Sequence, residues 1–499
     1  MRKHKTLIRV LQAGILVSLL LFGYSNLTKP LPSWRNQELV IVIAQDSTLA
    51  YEEFSKQLAR QFAAHLSVPL KIILTPANKV EETLRKRHAH LAASGFDISG
   101  KNPALLFGPG YLTVREQVVC NQYQRTPRNA NELLDKHIAV VNGSNQEKAL
   151  RTLLDQVPPL DWDSRKQRTV EDLLGEVAEG KLDCTVADHE QIEQMLNYHP
   201  NLAVAFDIGK PVRLGWAFPG NADNDLIAET EQFFTTIQKN GELNRLLDRY
   251  FGHNDRLDPL DATAFIANME SRLPRYRNLF EEAGKQINED WRLIAAIAYQ
   301  ESHWDPLATS FTNVRGMMML TEATADSLHV KNRLDAREST LGGARLLDIL
   351  KKQLPSPIAE PTRTWMALAA YNQGQGHLED ARVLTQRNKG DPNSWVDVKK
   401  WMPLLNNPTH FSTLKHGYAR GGEAVIFVEN IRAYYDILTR LDNAANSNNK
   451  QHQYLLASTR DKPAFSLHLP EKHEPQIKNI RSTDAYSLFG RATSSAPSD

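Results

Sequence analysis

The chain has 499 residues, enough for two or three domains with separate cores. Its 59 Lys and Arg against 58 Asp and Glu leave a formal charge of +1, so no global attraction to nucleic acid is expected. With 41% hydrophobic and 23% charged residues the composition is that of an ordinary globular protein, and function has to be read from local features.

The first stretch, "MRKHKTLIRVLQAGILVSLLLFGYSN", has a basic start followed by an apolar run from Ala13 to Tyr24. That run is shorter than the ~20 residues that span a bilayer comfortably, and it predicts an export signal peptide or an uncleaved signal anchor over residues 1–30. No Cys follows it closely, which argues against lipid attachment of the lipoprotein kind. Cys120 and Cys184 can pair after export or stay apart, and two residues alone do not decide which.

From residue 38 to 252 strand and helix patterns alternate. "ELVIVIA" and "LKIIL" read as short buried strands around a helix with Phe54, Leu58, Phe62 and Leu66 on one face. "HIAVVNGSN" is a strand entering a Gly-Ser turn at a helix start, and "VEDLLGEVAEGKLDCTVADHEQIEQML" reads helix, turn, strand, helix. Such alternation predicts an α/β domain with a mostly parallel sheet. Residues 253–272, containing "GHNDRLDPLDATAF", are the expected linker. From 273 to 442 the periodicity is helical throughout, and Ala424, Phe427, Val428, Ile431, Tyr435 and Leu438 share one stripe of the last helix. The second domain is therefore expected to be all-α. Residues 443–499, rich in Asn, Ser, Lys and Pro, are expected to be a disordered tail.

The chemistry starts from one misplaced residue. Ile294, Ile297, Ala298 and Glu301 stand at i, i+3, i+4 and i+7, on a single helical face. A carboxylate on an apolar stripe must find partners or stay protonated. Pro306 stops the helix soon after, which leaves Glu301 near its last turn, at the edge of a cleft.

Around Glu301 runs E-S-x-x-x-P-x-A-x-S, Glu301 to Ser310; a G-x-M segment follows at Gly316, and A-x-A-A-Y-N-x-G-x-G spans Ala367 to Gly376. Together these motifs resemble the lytic transglycosylase family, whose domain shares the lysozyme-like fold of goose-type lysozyme, over about 273–441. The resemblance implies peptidoglycan glycan strands as substrate and Glu301 as the catalytic acid, kept protonated in an apolar pocket. It implies cleavage of the β-1,4 bond between N-acetylmuramic acid and N-acetylglucosamine, with formation of 1,6-anhydromuramic acid ends. It further implies that Ser302 holds local geometry, that Gly316 and Met318 line the saccharide cleft, and that Tyr371 and Asn372 face the acid. Tyr418, in "YARGGEAVIFVENI", is a sugar contact or plain packing. Asp305 reads as a turn residue and Glu322 as a helix-start charge, so neither is taken as a second catalytic carboxylate. Asn313 stands where many members have Gly, and Met319 where many have Gln.

The first domain, with "FGPGY", "AVVNGS" and "TVAD" in that order, resembles two-lobed periplasmic solute-binding proteins of the amino-acid type. That likeness implies that Gly143 and Ser144 offer amides and a hydroxyl to a ligand carboxylate, and that Asp188 holds an amine. The Arg that the family places shortly before F-x-P-x-Y is missing from "DISGKNPALLF", where Lys101 is the basic residue. Stem peptides or muropeptides, or no small ligand at all, are therefore expected there in preference to free amino acids.

The two domains in this order resemble the membrane-bound lytic murein transglycosylases, which implies an exported protein, peripheral on the periplasmic face of the outer membrane. The alternatives are a hydrolytic muramidase of the same fold and a catalytically silent glycan or peptide receptor. Intact Glu301, Ser302, Tyr371 and Asn372 weigh against silence. No Cys/His cluster and no calcium-loop pattern occurs, so neither a metal nor another cofactor is expected.

Overall fold

The computed structural model describes residues 33–35, 38–100, 102–253 and 257–447. The expected export signal, Lys101 and residues 448–499 of the expected tail lie outside the described residues. The chain divides into two compact units, residues 1–195 with 201–250, and residues 196–200 with 251–499.

The first unit is built on one eight-stranded sheet. Its strands are β1 (Leu39–Ala44), β2 (Leu70–Thr75), β3 (Leu91–Asp97), β4 (Leu105–Asn121), β5 (Ile138–Val141), β6 (Asp163–Arg165), β7 (Cys184–Asp188) and β8 (Leu202–Pro219). They lie in the order β2-β1-β3-β8-β4-β7-β5-β6. β1 and β5 are almost wholly buried, as continuous apolar runs covered on both faces should be. Parallel pairs β1–β2, β1–β3, β5–β7 and β5–β6 form the two flanks. The centre departs from the expected parallel sheet: β4 and β8 run antiparallel to each other over most of their length, and each is antiparallel to its other neighbour. Gly108, Pro109 and Gly110 interrupt the β4 sequence pattern, and the ladder shifts register there, which is where Pro is tolerated in a strand.

β4 and β7 place Cys120 directly opposite Cys184, and the two are joined in a disulfide. Cross-strand register answers what the count of cysteines left open.

In the second unit the helix Trp291–Ser302 forms the centre. Its residues Leu293 to Tyr299 are all buried, and a helix apolar on every side belongs inside. Asp290 caps its start by accepting from the Arg292 amide at 2.9 Å. Helices Leu273–Ile287 and Gly421–Ser447 pack against it. In the latter, Ala424, Phe427, Val428, Ile431 and Leu438 are buried, as the stripe requires, and the helix runs through Ser447, beyond the expected boundary at 442.

The expected linker is not a plain joint. Residues Pro259–Ser271 form a helix, capped by Asp258 and opened by Pro259. Its Phe265 is fully buried, with ring centroids 4.5 Å from Tyr299 and 4.5 Å from Tyr434. This segment therefore belongs to the helical core.

Candidate active site

Glu301 occupies the last turn of the Trp291–Ser302 helix, as the sequence pattern requires. Among the described residues no donor or cation engages its carboxyl. Burial pushes the group up to about 8, so the protonated form is the resting form at neutral pH. The helix stops because His303 and Trp304 both take left-handed backbone, and Trp304 folds back so that its indole N–H donates to the Ala295 carbonyl at 2.8 Å. Trp304 is thus fully buried packing, whereas His303 is exposed at the helix end. Asp305 accepts from the Leu307 amide at 2.9 Å in a turn, and Glu322 is exposed in the first turn of the short helix Glu322–Ser327. Both carry the structural roles their sequence contexts suggest.

Ser302 ties the acid-bearing turn to the loop beyond it. Its Oγ lies 2.9 Å from the Met317 carbonyl and 3.1 Å from that of Ala298. The loop is held from the other side by Arg333, whose guanidinium donates to the carbonyls of Asn313 and Leu320 at 2.7 and 3.1 Å. Gly316 sits at φ +88°, and a Cβ there would fall 1.7 Å from the Arg333 carbonyl oxygen. Only glycine fits. Asn313 takes φ +63°, a conformation that Asn tolerates better than most side chains, which explains how it replaces the usual Gly.

Met318 differs from expectation. Its side chain is fully buried against Gly343 rather than lining a cleft, and its backbone amide lies 3.2 Å from Ser339 Oγ. Its carbonyl accepts the Tyr371 hydroxyl at 3.0 Å. Tyr371 thus braces this loop from the helix Thr362–Gln373, and it lies close enough that the Glu301 charge adds to burial in raising its phenol well above the usual range. Asn372 is half-buried beside it, with Oδ1 accepting from Gln373 Nε2 at 3.0 Å. Tyr418 lies on the loop before the Gly421–Ser447 helix, 57% exposed and edge-on to Phe411. The structure therefore joins Glu301, Ser302, Gly316 and Tyr371 through one braced loop. Arg333 and Ser339, its other supports, carry no local sequence signal.

The first unit has its own cleft, lined by Asp46, Tyr51, Ser144, Gln146, Lys148 and Asp188 among others. Asp188, at the end of β7, accepts the Tyr51 hydroxyl at 3.0 Å and the Gln191 amide at 3.1 Å. Directly opposite on β4 stands Glu116, also buried, with Gln146 Nε2 donating to its carboxylate. Burial raises both acids, and the nearby Asp188 charge raises Glu116 further.

The Gly143–Ser144 turn departs from the expected carboxylate seat. The Gly143 amide donates to Glu147 at 2.7 Å and the Ser144 amide to the Val141 carbonyl at 3.2 Å. Ser144 Oγ caps the helix Asn145–Leu153 by accepting from the Glu147 amide at 3.1 Å. S-x-x-E, Ser144 to Glu147, was the available signal: such a pair satisfies the helix start reciprocally and leaves fewer donors for a ligand.

A sheet unit with a cleft of its own is thus followed by a helical unit whose Glu301 is shielded enough from solvent to stay protonated, the arrangement of a binding-type domain joined to an enzyme that works by acid catalysis. The family profile "Bacterial extracellular solute-binding proteins, family 3" matches residues 44–253, and "Transglycosylase SLT domain" matches 278–394. A Methylobacillus flagellatus protein named membrane-bound lytic murein transglycosylase F is 44% identical over 85% of this chain and 93% of its own. A Nitrosospira multiformis protein of the same name is 45% identical over 83% of this chain and 88% of its own. The chain belongs to the membrane-bound lytic murein transglycosylase F family. More distantly, the solved substrate binding protein of an amino acid ABC transporter covers 43% of this chain and 100% of that one at 17% identity, with a TM-score of 0.39.

Proposed function

We propose that the helical unit cuts peptidoglycan between N-acetylmuramic acid and N-acetylglucosamine by lytic transglycosylation, leaving 1,6-anhydromuramic acid ends. The carrying observation is the Glu301 carboxyl, unpartnered among the described residues and held protonated by burial up to about 8. Glu301 gives its proton to the glycosidic oxygen as the bond to C1 breaks. The carboxylate so formed takes the proton of the muramic acid C6 hydroxyl, whose oxygen closes onto C1. Atoms balance without water, and one acid serves both steps. Asp305 is tied into a turn and Glu322 is an exposed helix-start charge, so we take neither as the base of a hydrolytic route.

The family supports a murein-degrading, membrane-associated enzyme. Peripheral placement on the periplasmic face of the outer membrane, and sensing of stem peptides by the first unit, are our further reading. The domain boundaries that go with it are a sensing unit over 38–252 and a catalytic unit that begins at the Asp258-capped helix. Mass spectrometry of material released from purified sacculi tests the chemistry. Anhydro ends are expected from the wild type and none from Glu301→Gln; reducing ends would mean that a water is activated instead.

A further inference from the structure

The first unit's cleft combines two features that bear on its ligand. One is a concentration of carboxyl groups: Asp188 and Asp46 line it, and Glu116 stands opposite Asp188 across the β4–β7 pair. Asp188 is 3% exposed, and it accepts hydrogen bonds from the neutral Tyr51 hydroxyl and the Gln191 amide. A buried carboxylate without a cation is costly, and a ligand ammonium relieves that cost. Among the described residues lining the cleft, Lys148 is the basic one, and its ammonium lies over the Phe96 ring at 5.8 Å.

The other feature is a seat already taken. Glu147 is buried, and its carboxylate accepts from the Gly143 amide at 2.7 Å, the Ser164 hydroxyl at 2.8 Å and Arg151 at 3.0 Å. With the Ser144 amide turned to Val141, neither amide of the turn is left for a ligand carboxylate. A second anion there would meet Glu147 at close range.

We propose that this cleft selects ligands that present an ammonium group and no free carboxylate beside it: Asp188 receives the amine, and Glu147 keeps a carboxylate out of the Gly143–Ser144 turn. This rests on the reading that the first unit binds a ligand at all. It narrows that ligand to amines whose neighbouring carboxyl is amidated or absent.

The test uses the full chain with alanine, leucine and lysine, each as free acid, carboxamide and N-acetyl derivative, read by calorimetry and thermal shift. The carboxamides are expected to bind at least tenfold tighter than the free acids, and the N-acetyl forms not at all. Glu147→Ala, which frees the Gly143 amide, is expected to move the preference at least tenfold toward the free acids. Asp188→Asn, which keeps an acceptor for Tyr51, is expected to abolish the response to carboxamides with the melting temperature of the empty protein nearly unchanged. Free acids binding within tenfold of the carboxamides, or tighter, in the wild type would overturn the inference, above all if Lys148→Met weakened the free acids. If none of the amines binds, the inference falls together with ligand sensing, a pattern distinct from a reversed preference.

Discussion

Glu301 makes two predictions of different kind. As a general acid it must be protonated, so kcat/KM on glycan strands should hold level below pH 8 and fall about tenfold per unit above it. Glu301→Gln should lower the rate by ~10²–10⁴ or more, because the same group acts twice. Its stability should move the other way. A carboxyl raised from 4.5 to about 8 binds more protons in the folded than in the unfolded state between those values, so wild-type stability is lost as pH rises through that window. Gln carries no such cost, and the melting temperature of Glu301→Gln relative to wild type should increase from pH 4.5 to pH 8 and then level off. A flat difference would mean that the carboxyl titrates normally. The acid was legible in the sequence because a charged residue on an apolar stripe is a local contradiction. Met318 was not: sequence order places it beside the cleft, but burial against Gly343 is a long-range packing fact that spacing cannot reveal.

The loop 303–320 is held by few contacts, each open to test. Ser302→Ala removes the hydroxyl bonded to Met317 and should cost about 1 kcal/mol while lowering activity more than stability, since it loosens the turn that carries Glu301. Tyr371→Phe leaves the Met318 carbonyl without its donor and should behave similarly, at about 1–3 kcal/mol. Gly316→Ala is of another order. The 1.7 Å approach to the Arg333 carbonyl forces backbone movement, and a loss above about 4 kcal/mol or a locally unfolded loop is expected from chemical denaturation. At this scale sequence reading was uneven. The catalytic helix and the last helix announce themselves by sustained periodicity. Pro259–Ser271 does not, because among its described side chains Ala262 and Phe265 alone are fully buried, and so few anchors leave little amphipathic pattern. β4 and β8 were missed because their apolar alternation is broken by Gly and Pro where the ladder shifts register. The solute-binding motifs placed the Gly143–Ser144 turn correctly, but which donors it still offers depends on Glu147 folding back over it.

The two units make separate predictions for the whole chain. A fragment covering 257–447 should fold and retain some cleavage of sacculi, because the acid, its brace and the buried core residues around them are contained in it, although Tyr198 is lost from the edge of that core. A fragment starting at 272 loses Phe265 and should be less stable by about 3–5 kcal/mol, the usual cost of deleting a buried aromatic. Equal melting temperatures would return Pro259–Ser271 to the status of a linker. The Cys120–Cys184 bond closes a sequence separation of 64 residues, worth ~4 kcal/mol by chain entropy, and it lies wholly in the first unit. A reductant should therefore lower the melting of the sheet unit and leave that of the helical unit in place. The same bond bears on how the protein is best made. Produced in a reducing cytosol, the chain should yield a helical unit that still cuts and a sheet unit short of its full stability, prone to proteolysis and poor in ligand titrations. Produced in an oxidising compartment, both should survive purification, so a preparation that is active yet deaf to ligand points first to its thiols.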